Sequence, residues 1–142
     1  MNKVLFLVLS CIFTQGAINA MENGNALIYA VIENNLEKAQ TLLDSRAEVN
    51  WQDPKYGHSA LHFVKSIPMA KLLLDHGADI NLPAKNGTTA LDCIIHKEFG
   101  EDVDLIQFLL SRGAHVNPQD HASLLQWPHV LTILWTVFEI LT

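Results

Sequence analysis

Cysteine is scarce in this sequence: Cys11 and Cys93 are the only two in 142 residues. Small disulfide scaffolds carry several at regular spacing, so that class is excluded and an apolar core must hold the fold. Basic residues are also few. Nine Lys and Arg face fifteen Asp and Glu, a formal charge of −6, and a surface of that sign does not gather the phosphates of a nucleic acid. The longest mostly apolar stretches, 4–13 and 130–141, fall short of the roughly 20 residues that a membrane-spanning helix needs. Patterns that announce chemistry are missing too: there is no glycine-rich phosphate loop, no G-x-S-x-G and no H-E-x-x-H. Without a convergent polar set, the sequence predicts a protein that is not an enzyme and takes no cofactor.

What is present is a high apolar content, 49% of residues, against 17% charged. That suits one compact domain or a short array, not a disordered chain. The first twenty residues stand apart. MNKVLFLVLSCIFTQGAINA has Lys3, no acid, an apolar run from Val4 to Phe13, then small and polar residues down to Ala20. This is the layout of a cleaved signal peptide over 1–20. Ile18 is bulky for a residue two before the cut, which leaves the cleavage position open. The competing reading makes Val4 to Phe13 an N-terminal helix that covers the adjoining part of the fold. Cleavage would leave eight basic against fifteen acidic side chains, with Cys93 as the single thiol. The expected location is secreted or periplasmic; the alternative is a membrane-associated adaptor held by an uncleaved N-terminal segment or by the apolar tail.

The sequence repeats itself. Arg46-Ala47-Glu48-Val49-Asn50, Gly77-Ala78-Asp79-Ile80-Asn81 and Gly113-Ala114-His115-Val116-Asn117 share one pattern, their Asn residues 31 and 36 positions apart. A second pattern runs in step with it: Asn25-Ala26-Leu27, Ser59-Ala60-Leu61 and Thr89-Ala90-Leu91, with Leu spacings of 34 and 30. Fixed periods of this length mark stacked supersecondary units. Each unit reads as two helices, the second burying Leu42 and Leu43, then Leu72 to Leu74, then Phe108 to Leu110. Ser59 and Thr89 are placed as N-caps. Gly77 and Gly113 fall just past the second helix, where a left-handed residue closes its last carbonyls. Pro68 suits a first turn, where its missing N–H would have been unpaired anyway.

These landmarks resemble the ankyrin repeat, whose unit opens on T-P-L-H-x-A and closes on L-L-x-x-G-A-x-x-N. The nearest copies are Ser59-Ala60-Leu61-His62 and Leu73-Leu74-Asp75-His76-Gly77-Ala78-Asp79-Ile80-Asn81. The resemblance implies an all-α, ankyrin-type solenoid of stacked helix-turn-helix repeats with finger-like turns. Its units would be repeat 1 at 22–50, repeat 2 at 51–81 and repeat 3 at 82–117. Ala26, Ala60 and Ala90 depart from the family's Pro, and Ile28 and Asp92 from its His. Arg46 stands where the closing Gly is expected, a weakening of about 1 kcal/mol at that helix end. From opening Leu to closing position the units span 19, 16 and 22 residues. The inter-helix turn is therefore expected to be short near Ser66 and long around Glu98 to Asp102.

The tail, 118–142, reads as a degenerate fourth repeat beginning near Ser123-Leu124-Leu125, or as an apolar capping helix. Over Val130 to Leu141 only Thr132, Thr136 and Glu139 are polar. Twelve helical residues rise only about 18 Å, too little to span a bilayer. Three readings stay open: a cap on the third unit, an interface including membrane-surface contact through Trp127, Trp135 and Phe138, or a truncated repeat.

Seven His residues raise the question of a metal, and His58 and His62 have i, i+4 spacing. No further ligands join them, so no metal site is expected. Cys93, in an apolar helix, reads as a small buried hydrophobe. Function then falls to the surface. In the resemblance, the concave face consists of the fingers and the exposed sides of first helices. It implies a protein-binding face carrying Lys55, Tyr56 and His58 from the second finger, Lys85, Asn86 and Thr88 from the third, and Ile32, Glu33, Lys65, His96 and Lys97 from first helices. Four of the basic residues fall there, so the expected partner is a protein, in particular an acidic segment anchored on Tyr56. Trp51 is a second candidate anchor, its alternative role being to pack under the turn.

Overall fold

The computed structural model describes residues 22–96 and 103–115, and these form the stack of helical hairpins that the repeat spacing requires. Helix α1 covers 22–32 and α2 Leu36–Asp44. A one-turn 3₁₀ helix at Ala60–Phe63 precedes α3 at Ile67–Asp75, and α4 at Ala90–Ile95 precedes α5 at Val103–Ser111. No strand occurs among the described residues. The segment 1–20, the expected long turn at 98–102 and the tail 118–142 lie outside them.

Several helix ends have a local cause. The Asn35 side chain caps α2 by accepting the Lys38 N–H at 3.0 Å. At α4 the Thr89 hydroxyl accepts the Asp92 N–H at 3.3 Å, and the Asp92 carboxylate accepts the Thr89 N–H at 2.7 Å, a reciprocal cap. At the other ends Gly77 and Gly113 adopt φ of +86° and +89°. This turn lets the Ala78 and Ala114 N–H groups reach back to the carbonyls of Leu73 and Leu109, both at 3.0 Å. Arg46 takes the same left-handed role at φ +63°, with the Ala47 N–H on the Leu42 carbonyl. A Cβ in that region costs about 1–2 kcal/mol, so the first unit closes under strain that the other two avoid.

The second unit departs from the expected pair of full helices. Its first helix is a single 3₁₀ turn, and Val64 and Ser66 are extended. The residues missing between Leu61 and Gly77 thus come out of this helix and not only out of the turn. The second helix keeps its length because it carries the buried Met69, Ala70 and Leu73. Pro68 sits in its first turn, as its lack of an N–H allows.

The second helices lie in a row, α2 on α3 and α3 on α5, while the 3₁₀ helix packs on α4. The seam between the rows is filled by Leu27, Val31, Leu61, Met69, Leu73, Leu91 and Leu109. In each apolar group expected to face inward, one residue is buried: Leu43, Leu73 and Leu109. Leu42, Leu72, Leu74, Phe108 and Leu110 pack partly against them, since adjacent positions on a helix point in different directions. Trp51 packs between elements: a Cβ on Gly24 of α1 would stand 2.3 Å from its Cγ. Among the described residues, no helix is long and apolar enough to cross a membrane.

Leu73, fully buried in the middle unit, tests this seam. Leu73→Ala is expected to cost about 2–5 kcal/mol, read from urea unfolding. A loss below about 0.5 kcal/mol, the size of an ordinary surface change, would mean that the rows do not meet there.

Candidate functional site

The second finger is organised by one side chain. The Asp53 carboxylate accepts backbone N–H bonds from Lys55 at 3.0 Å, Tyr56 at 2.8 Å and His58 at 2.7 Å. Burial raises the Asp53 pKa, but these bonds and the nearby His58 outweigh it, and the net shift is downward. Gly57 completes the turn at φ +75°. The finger is then tied to the next one. The Gln52 amide donates to the Gly57 carbonyl at 2.6 Å and to the Pro83 carbonyl at 2.9 Å, while the Lys85 N–H donates to the Tyr56 carbonyl at 3.0 Å.

On this frame stands a column of rings. Tyr56 is 54% exposed and stacks on His58 with centroids 5.8 Å apart. His58 in turn meets Phe63 edge-on at 5.4 Å and His62 at 5.3 Å. The Lys55 ammonium lies 4.6 Å from the centre of the Tyr56 ring, a cation–π distance. In the third finger, the Asn86 side-chain oxygen accepts the Thr88 N–H at 3.2 Å and the Thr88 hydroxyl at 2.6 Å.

The structure therefore brings Lys55, Tyr56, His58 and Lys85 together, with Asn86 and Thr88 on the adjoining turn. Two of the lysines are engaged within the chain. The Lys85 ammonium donates to the Pro54 carbonyl, and that of Lys65 to the Ile32 carbonyl at 2.7 Å. Both side chains are thereby held in place. His96, exposed at the end of α4, donates through Nδ1 to the Asp92 carbonyl at 2.8 Å. Lys97 lies outside the described residues. The ring column adds Phe63, and exposure adds Tyr29 at 61% on α1; neither was expected from the sequence. Phe63 occupies the position two after its unit's opening Leu, as Tyr29 does, and that register was the available signal. Asp53-Pro54 with Gly57 close behind was the equivalent signal for the turn.

His62 is a buried structural residue. Its Nδ1 accepts the Ser59 N–H at 3.1 Å, so the other nitrogen carries the proton and donates to the Thr88 carbonyl at 3.2 Å. Burial lowers its pKa, more than the bond to Thr88 raises it. Among the described residues no cluster of three His, Cys, Asp or Glu could hold a metal ion. An open depression of about 460 Å³ between α2 and α3 is floored by Leu36, Pro68 and Leu72. It holds no His or Cys.

Comparison with known proteins matches residues 27–120 to the family model "Ankyrin repeats (3 copies)". "Ankyrin repeat and SAM domain-containing protein 6" of Rattus norvegicus is 35% identical over 101 residues, 68% of this chain and 11% of that protein. "2-5A-dependent ribonuclease" of Homo sapiens is 37% identical over 79 residues, 54% of this chain and 11% of that protein. "85/88 kDa calcium-independent phospholipase A2" of Mus musculus is 41% identical over 44 residues, 31% of this chain and 6% of that protein. The chain thus spans about a tenth or less of the length of these relatives.

The buried neutral His62 sets a pH dependence. Its folded-state pKa lies below the unfolded value, so the unfolded chain binds the extra proton. Stability from this group is complete above about pH 6.5, and is lost as pH falls through the lowered folded-state value. Asp53 adds a separate loss at lower pH, as its carboxylate protonates. Urea unfolding across pH is expected to show the first decline in wild type and a flatter curve in His62→Gln. Identical slopes would contradict the assignment.

Proposed function

The chain belongs to the ankyrin-repeat family, and on that footing we propose that it is an exported protein-interaction module that binds an acidic segment of a partner on its fingers and first helices. The observation that carries this reading is Tyr56, half exposed at a finger tip whose backbone is already fixed by Asp53 and by the third finger. An aromatic held in place before binding offers contact area with little further loss of conformational entropy. Lys55 and Lys85 set positive charge beside it on a chain that is acidic as a whole, and Lys65 is a further cation of the proposed face. That local inversion favours carboxylates in the partner and discourages cationic segments. His58 supports the tip from behind, and Asn86, Thr88, His96 and Lys97 extend the proposed face.

Binding without catalysis is part of the proposal. The ribonuclease and the phospholipase are whole proteins of which this chain matches a small part, and the names belong to them. Export rests on residues 1–20: one Lys, an apolar run and a small residue at Ala20. The place of action is then a secreted or periplasmic space.

Selection of peptides from a random display library by the purified chain tests the reading. Enriched sequences are expected to be acidic. Tyr56→Ala should weaken a selected peptide at least tenfold, about 1.4 kcal/mol, and added salt should weaken it further. Basic or featureless winners, or affinity indifferent to salt, would overturn the acidic-segment reading. The mass of the mature product, expected to begin near Met21, tests export; an intact N-terminus would refute it.

A further inference from the structure

Two Asn-Gly pairs occur in the chain, Asn23-Gly24 and Asn86-Gly87, and the structure sets them in opposite circumstances. An asparagine followed by glycine has a chemical option that other contexts hinder. The glycine nitrogen, unobstructed by a Cβ, can attack the asparagine side-chain carbonyl carbon and close a five-membered imide. Charge develops on the Oδ1 oxygen as the bond forms, so donors already aimed at that oxygen favour the step.

Asn86 has such donors. It is exposed on the third finger, and its Oδ1 receives the Thr88 hydroxyl at 2.6 Å and the Thr88 N–H at 3.2 Å. The turn folds the carboxamide back along its own chain. The obstacle is the Gly87 N–H bond to the Ala84 carbonyl at 2.9 Å, in a short surface turn. Asn23 is placed otherwise. It lies within α1, and Gly24 is buried under the Trp51 indole, where even a Cβ would find no room. With Gly24 pinned beneath the indole in the first turn of a helix, the imide has no room to close.

We propose that Asn86 is a site of spontaneous conversion of side-chain amide to acid, and that Asn23 is spared. The Gly87 nitrogen loses its proton and bonds to Cγ of Asn86, while Nδ2 departs as ammonia. Water then opens the imide at either carbonyl, giving aspartate or isoaspartate. The net change is one water consumed and one ammonia released, with no oxidant or reductant. The product places a carboxylate next to Lys85 on a surface otherwise rich in cations, and in the isoaspartate form lengthens the turn by a backbone carbon. An acidic partner would be repelled. That consequence rests on the reading under Proposed function, whereas the conversion itself does not.

The test tracks both amides at once. The full chain is held folded in warm neutral buffer beside a sample in urea, and proteolytic peptides are monitored by mass spectrometry. The folded sample is expected to convert at Asn86 and not at Asn23, and the urea sample at both. Thr88→Val, with circular dichroism confirming its fold, should slow conversion at Asn86 severalfold. An unchanged Asn86 in the folded chain would overturn the proposal, as would equal rates at the two positions. Binding of a selected acidic peptide, measured before and after conversion, reports on the consequence separately. Loss of amide with unchanged affinity would leave the site standing and count against the acidic-partner reading.

Discussion

One asparagine carboxamide joins each helical hairpin to the next, and the stack depends on these joints. Asn50 donates to the Gly77 carbonyl at 3.1 Å and accepts the Asp79 N–H at 2.8 Å. Asn81 repeats the arrangement one unit later, donating to the Gly113 carbonyl at 3.0 Å and accepting the His115 N–H at 2.8 Å. These bonds satisfy backbone groups that a helix end leaves without partners. They form because the left-handed glycine turns its own carbonyl, and the N–H two residues on, toward the preceding unit. Glycine and asparagine in the repeated pattern are thus two halves of one device, divided between neighbouring hairpins. The apolar seam supplies most of the stability, but it is not directional. The paired amide bonds fix the separation and register at which the seam is shared.

The fingers extend the same logic outward. Asp53 holds one finger through backbone N–H groups, and Gln52 and Lys85 then fasten it to its neighbour. A loop so constrained has little freedom left to lose when something binds to it. The result is an exposed tyrosine on a rigid mount, with the Lys55 ammonium against its ring and Lys85 nearby on the Pro54 carbonyl.

The architecture was legible from recurrence alone, because the Leu, Gly-Ala and Asn landmarks return in step. Positive φ at Gly77 and Gly113, and the strain at Arg46, came directly from residue type. The collapse of the second unit's first helix did not. A deficit of residues says that something shortens, and burial of Met69 and Leu73 decides what. Asp92 shows a similar limit. It departs from the family's His, yet its carboxylate caps Thr89 in the way that the His62 ring meets Ser59. At the candidate surface, the positions of Lys65 and Lys85 were readable but their carbonyl partners were not, since those lie 33 and 31 residues away. Trp51 could be placed only once Gly24 was seen beneath it.

Native-state hydrogen exchange on Asn81→Ala bears most directly on the claim that the asparagine bonds couple the hairpins. Removing the carboxamide takes away its bonds to the Gly113 carbonyl and the His115 N–H, which lie at the surface where water can replace them, a cost of about 0.5–1.5 kcal/mol per bond. Amides of α5 are then expected to exchange well before those of α3, as the third hairpin opens independently. Uniform exchange across both helices, at wild-type stability, would show that the apolar seam alone holds the units in register.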